Sequence, residues 1–218
     1  EMVRWIFASY KTNVDFAVSF DLDVIKTYED FDRQERMAFG VDQANEKKAA
    51  MAKRVYELSQ IDEMPKDMPF QPAFRHLTNI LQIHDGDIKA ARSFYDGEIK
   101  NERDERRFNE RAQCAKYWLE NYAPEDFKFS VNTSPIQYES DAKTKDFLKA
   151  FKETLAKDWD QFDDKSLHEK MYEQIHAFEV EPADAFKALY QSLISLDKGP
   201  KLASFIRTIG KERVIALL

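Results

Sequence analysis

Residues 101–122, NERDERRFNERAQCAKYWLENY, decide the fold class. Phe108, Ala112, Ala115 and Leu119 recur at i, i+4, i+7 and i+11, so one apolar face runs along the segment at helical period. No glycine or proline interrupts it, and Pro124 stands just past its end, where the missing N–H stops a helix. The same period extends to both sides. It predicts helices over 22–37, 41–58, 73–84 and 88–95 before this segment, and over 142–159, 165–178, 182–196 and 201–218 after it. Residues 1–7 begin inside an amphipathic segment. Asp21 is placed to cap the helix over 22–37, and Pro182 suits the first turn of its own.

Strand character is confined to residues 15–20, where Phe16, Val18 and Phe20 share one face at period two. Met64 to Pro72 holds three prolines and cannot be helical, which places a boundary between residues 64 and 65; 129–138 reads as a loop. Five glycines stand where average usage gives roughly 15. Phosphate-cradling loops and tight hairpins are therefore scarce. No period of 20 to 50 residues recurs, so the architecture is an all-α, irregular multi-helix array and not a solenoid.

Composition narrows the function classes. The chain has 218 residues, enough to bury roughly 70% of the unfolded surface in a core without a disulfide or metal staple. Lys and Arg number 33 against 40 Asp and Glu, a net charge of -7. No run approaches the ~20 apolar residues of a membrane span, residues 1–7 lack the order of a secretory signal, and Cys114 is the single cysteine. A cytoplasmic location is the expectation, with no membrane and no DNA among the partners. Because residue 1 is Glu and the chain opens within an amphipathic segment, it reads as a piece of a longer protein.

Four features are candidates for chemistry. Asp21 and Asp23 after an apolar segment invite comparison with haloacid-dehalogenase-type phosphatases, with an echo at Asp85 and Asp87. That chemistry needs Gly-Thr where this chain has Val24-Ile25, and a parallel sheet behind it. Helix capping is the plainer role. His76, His84, His168 and His176 include no pair at i, i+4, so no metal site is expected. Cys114 is expected to be a packed thiol, and no catalytic residue is identified.

The fourth feature is basic. Lys100, Arg103, Arg107 and Arg111 form one stripe at i, i+3, i+7 and i+11 that leads through Cys114 to Trp118. Guanidinium groups ending at an indole suit phosphates and an unstacked base; equally, such side chains snorkel over the edge of a core. Even in an acidic chain a local stripe sets the field within a Debye length of about 8 Å.

Phe7-Ala8-Ser9, Asn13 and the run Phe16 to Arg33 closely resemble the segment that follows the catalytic domain in class I lysyl-tRNA synthetases. Phe70 to Ile83, around Phe74-Arg75-His76-Leu77, is similar to the anticodon-binding region of that family. So are Phe186 to Tyr190, Gly199-Pro200 and Phe205 to Gly210, the last shared in outline with bacterial glutamyl-tRNA synthetases. Lys11-Thr12 replaces the usual Arg-Pro before Asn13. Neither a HIGH-like nor a KMSKS-like signature occurs. The resemblance therefore implies a stem-contact-like linker over 1–64 and an all-helical, cage-like anticodon-binding domain over 65–218, without the active site. It implies tRNA(Lys) and the missing catalytic domain as partners, and ATP and Mg as cofactors of the full-length enzyme but not of this part. The candidate RNA-binding residues are then Arg75, His76, Lys100, Arg103, Arg107, Arg111, Trp118 and Trp159. The other readings are a helical protein-interaction module and the phosphatase.

Overall fold

The structure is a computed structural model and describes residues 1–10, 15 and 17–218. Its order is α1 (Met2–Ser9), α2 (Asp23–Ala38), α3 (Glu46–Ser59), α4 (Phe74–Ile83), α5 (Ile88–Ser93), α6 (Glu102–Asn121), α7 (Ala142–Asp158), α8 (Asp164–Ala177), α9 (Pro182–Ile194), α10 (Leu202–Ile209) and α11 (Lys211–Leu217). Short 3-10 turns lie at Glu125–Phe127 and Trp159–Gln161. The fold is all-α, with no strand among the described residues. Of the segment read as a strand, Phe16 lies outside the described residues, and Asp15 and residues 17–20 are irregular. None of the helices is long and apolar enough to cross a membrane, among the described residues.

The chain forms two compact units, Glu1–Glu125 and Asp126–Leu218. The division expected between residues 64 and 65 falls inside the first unit, in the proline-rich link between α3 and α4. That link is held to the first unit's core: Pro69 and Pro72 are buried, and the Pro72 carbonyl accepts from Arg111 at 3.0 Å.

In the first unit Trp5 of α1 meets Phe31 of α2 edge-on at 5.8 Å, and Val55 and Tyr56 of α3 complete the cluster. Tyr28 stacks on Phe74 at 4.0 Å, which ties α2 to α4. Phe74, Leu77, Ile80 and Leu81 then pack toward Phe108 and Ala112 of α6, with all six nearly inaccessible. Burying each of the five larger side chains contributes about 1.5–3 kcal/mol. The predicted helix over 41–58 starts only at Glu46, because the Asn45 side chain accepts from the Lys48 N–H at 2.9 Å and caps it there.

In the second unit Phe147, Phe151 and Leu155 of α7 face α9, while Leu167, Met171 and Ile175 of α8 face α10. The predicted loop over 129–138 is irregular and anchored. The Asn132 amide donates to the carbonyls of Gln191 and Ser192 at 3.1 and 2.9 Å, closing the end of α9. Tyr190 bonds the Pro200 carbonyl across Gly199, where an added Cβ would stand 2.9 Å from the Tyr190 ring. The single helix predicted over 201–218 is two helices. Gly210 takes φ +93, which only glycine adopts without strain, and turns the chain between α10 and α11.

Candidate nucleic-acid interface

Asn101 starts α6 by accepting from the Asp104 N–H at 2.9 Å, and Asp104 in turn accepts from the Lys100 N–H at 3.1 Å. This sets the helical phase, and with it the direction of the basic stripe. The stripe divides. Lys100 is exposed and Arg103 half-buried at the mouth of a cleft. Arg107 and Arg111 turn inward against α2.

Arg107 Nη2 lies 2.9 Å from both oxygens of Glu35, which is fully buried. The same carboxylate accepts the Tyr56 hydroxyl at 2.6 Å and the Gln71 amide. Arg111 grips Asp32 with both terminal nitrogens, one at 2.9 Å, and both residues are only 6% exposed. Both guanidiniums also cover rings: Arg107 lies 5.8 Å from the Phe31 centroid and Arg111 5.6 Å from that of Tyr28.

These contacts shift protonation. Burial works against the Arg111 charge, but the Asp32 hydrogen bonds and field outweigh it and its pKa is raised. Burial, then the neighbouring Cys114, pushes the Tyr28 hydroxyl well above its ordinary value; burial and Glu35 do the same to Tyr56. Both phenols stay neutral.

Trp118 is 3% exposed, meets Phe74 edge-on at 5.9 Å and donates its indole N–H to the Phe20 carbonyl at 2.9 Å. Cys114 is exposed, which corrects the expected packed thiol: it stands at the edge of the face that buries Phe108, Ala112 and Ala115, and it lines an open cleft. A cleft of about 440 Å³ remains beside the stripe, lined by Arg103, Arg106, Arg107 and Arg111 together with the carboxylates of Glu1, Asp62 and Glu110.

Arg75 is exposed on the first turn of α4 and pairs with Glu29 at 3.1 Å. The neighbouring His76 is half-buried with its ring edge-on to Tyr95 at 6.3 Å. Trp159 belongs to the second unit, half-buried where α7 ends in a 3-10 turn. Asp21 accepts from the Asp23 N–H at 3.1 Å, while Leu22 holds the N-cap position, so the aspartate serves the helix from one residue further back than expected. That bond and Ser19 lower its pKa.

No protein-family model matches the chain. It is 39% identical over 220 residues to the lysine–tRNA ligase of Treponema pallidum, covering all of this chain and 41% of that protein. It is 37% identical to the lysine–tRNA ligase of Borreliella burgdorferi, over 98% of the chain and 41% of the relative. To the lysine–tRNA ligase of Thermococcus kodakarensis it is 30% identical, over 100% and 42% respectively. Over its whole length the chain is similar to one part of class I lysyl-tRNA synthetases. It spans about two fifths of the length of the lysyl-tRNA synthetases it matches.

Sequence reading of the chain missed Asp32 and Glu35, the partners of the arginine stripe. The signal was present. Tyr28, Asp32 and Glu35 fall at i, i+4 and i+7, so two carboxylates share the buried face of α2 and demand cations in return. Among the described residues no group of three or more His, Cys, Asp or Glu is placed to hold a metal ion, and no strand carries a phosphate-binding loop.

Proposed function

We propose that this chain is the tRNA-binding portion of a class I lysyl-tRNA synthetase. The relatives are named as lysine–tRNA ligases, and the similarity runs the length of this chain; that observation carries the reading. In the full-length enzyme lysine is joined to tRNA(Lys) with ATP and Mg, in parts of the relatives this chain does not span. Its partners are tRNA(Lys) and the catalytic domain, and its place is the cytoplasm.

Residues 65–218 hold the anticodon loop and residues 1–64 act as the stem-contact-like linker. The first compact unit then contains the linker and the first helices of the anticodon-binding part. Uridine-rich anticodon bases, splayed from their stack, need rings and hydrogen-bonding groups to rest on. Arg75, His76, Lys100, Arg103 and Trp159 have the exposure for that contact. Arg107, Arg111 and Trp118 act from behind, as the frame that fixes α6 against α2 and α4.

The test is retention of tRNA by the purified chain. Lysine tRNA should be bound in preference to others, and replacing the middle anticodon uridine should weaken binding several-fold, since stacking contributes about 1–3 kcal/mol per base. Equal affinity for every tRNA removes the anticodon assignment.

A further inference from the structure

The second unit carries a groove of about 560 Å³ between α7 and α11 that none of the eight candidate residues lines. Lys145, Lys149 and Lys152 stand along it at i, i+4 and i+7. Phe147, Phe151 and Leu155 bury the opposite face of α7, so the lysine row is held outward. Leu148, Ala156, Ile215 and Leu218 supply the apolar lining, and Glu153 is the acidic side chain in it. Lys143, Lys170 and Lys187 are held by carboxylates at 2.7, 2.9 and 3.1 Å. No ion pair of the described residues engages the three groove lysines, and their ammonium groups are open to an external anion.

We infer that this groove is a backbone track for unpaired RNA, in which the three lysines bind successive phosphates. The inference rests on the tRNA-binding reading and adds a division of labour to it. At 1.5 Å rise per residue the lysines are spaced by about 6 and 4.5 Å along the helix, the scale on which an extended strand presents its phosphates. The lining offers apolar contact for ribose but no aromatic ring for a base, so the groove adds affinity without reading sequence. In a chain of net charge -7 such a track works because it is local: acidic surfaces more than about 8 Å away are largely screened.

The experiment measures tRNA(Lys) and noncognate tRNA binding by the full chain across a salt series, with Lys145→Ala, Lys149→Ala and Lys152→Ala singly and combined. Each substitution should flatten the slope of log affinity against log salt by about 0.7, and the triple variant by about 2, equally for both RNAs. Amine-reactive labelling gives the second readout: tRNA should protect these three lysines and leave Lys165 reactive. An unchanged slope with wild-type tRNA binding intact overturns the groove alone. Absence of tRNA binding by the wild-type chain overturns both the groove and the function it rests on. Protection by poly-glutamate but not by tRNA assigns the groove to an acidic polypeptide and overturns the RNA track.

Discussion

Arg111 and Asp32 are 79 residues apart in the chain and meet as a two-pronged ion pair, each only 6% exposed. The pair joins α2 to α6, and Arg111 extends it to the Pro72 carbonyl before α4. Three segments of the first unit are thereby set by one guanidinium. We expect Arg111→Ala to cost about 3–5 kcal/mol in urea unfolding, because it strands a buried carboxylate. Replacing both partners, as Arg111→Met with Asp32→Leu, should recover most of that loss. A single variant that unfolds like the parent would show that the pair does not hold the helices.

Trp118 separates a structural ring from an RNA-stacking ring. Its burial against Phe74 and its bond to Phe20 lead us to expect Trp118→Ala to lose about 3–5 kcal/mol of stability. If stability is instead kept while the preference for lysine tRNA falls, the ring acts on RNA directly.

Lys100 and Arg103 remain on the accessible part of the stripe. Arg103→Ala should weaken every tRNA alike and reduce the salt slope by about 0.7, the single-strand value for one lost phosphate contact. Trp159→Ala should leave that slope alone and lower the preference for lysine tRNA. Identical slopes and preferences across both variants and the parent would remove these residues from the interface.

The acid limb of stability should depend on helix caps. The Thr144 side chain and N–H hold Asp141, and the Ser166 N–H and side chain hold Asp163, each N–H at 2.7 Å, so both carboxyls lie below their ordinary value of 3.8. A depressed folded pKa contributes stability that is complete above about 3.8 and is lost as pH falls through the folded value. Asp163→Asn keeps an acceptor but does not titrate. Its melting temperature should fall less steeply than the parent's below that pH, and parallel curves would count against the cap.

The chain alone should neither activate lysine nor charge tRNA, because it carries neither HIGH-like nor KMSKS-like residues. Lysine-dependent pyrophosphate exchange by the purified chain is the measurement, and activity above background would refute the expectation.

Helical period was enough to place α2 to α9, with α3 starting five residues later than expected, since apolar spacing and cap residues act within one turn or two. The break at Gly210 shows the limit: an apolar pattern runs through it, and only the positive φ required by α10 and α11 identifies it as a corner. The basic stripe on α6 was equally legible as a row. Its division was not. Whether an arginine faces phosphate or carboxylate depends on what packs opposite, and Asp32 and Glu35 arrive there from another helix. Sequence by itself determined the fold class, the family resemblance and the positions of the cations. Tertiary structure alone decided which cations are neutralised, because desolvation and pairing are properties of a three-dimensional neighbourhood and leave no local trace in the chain.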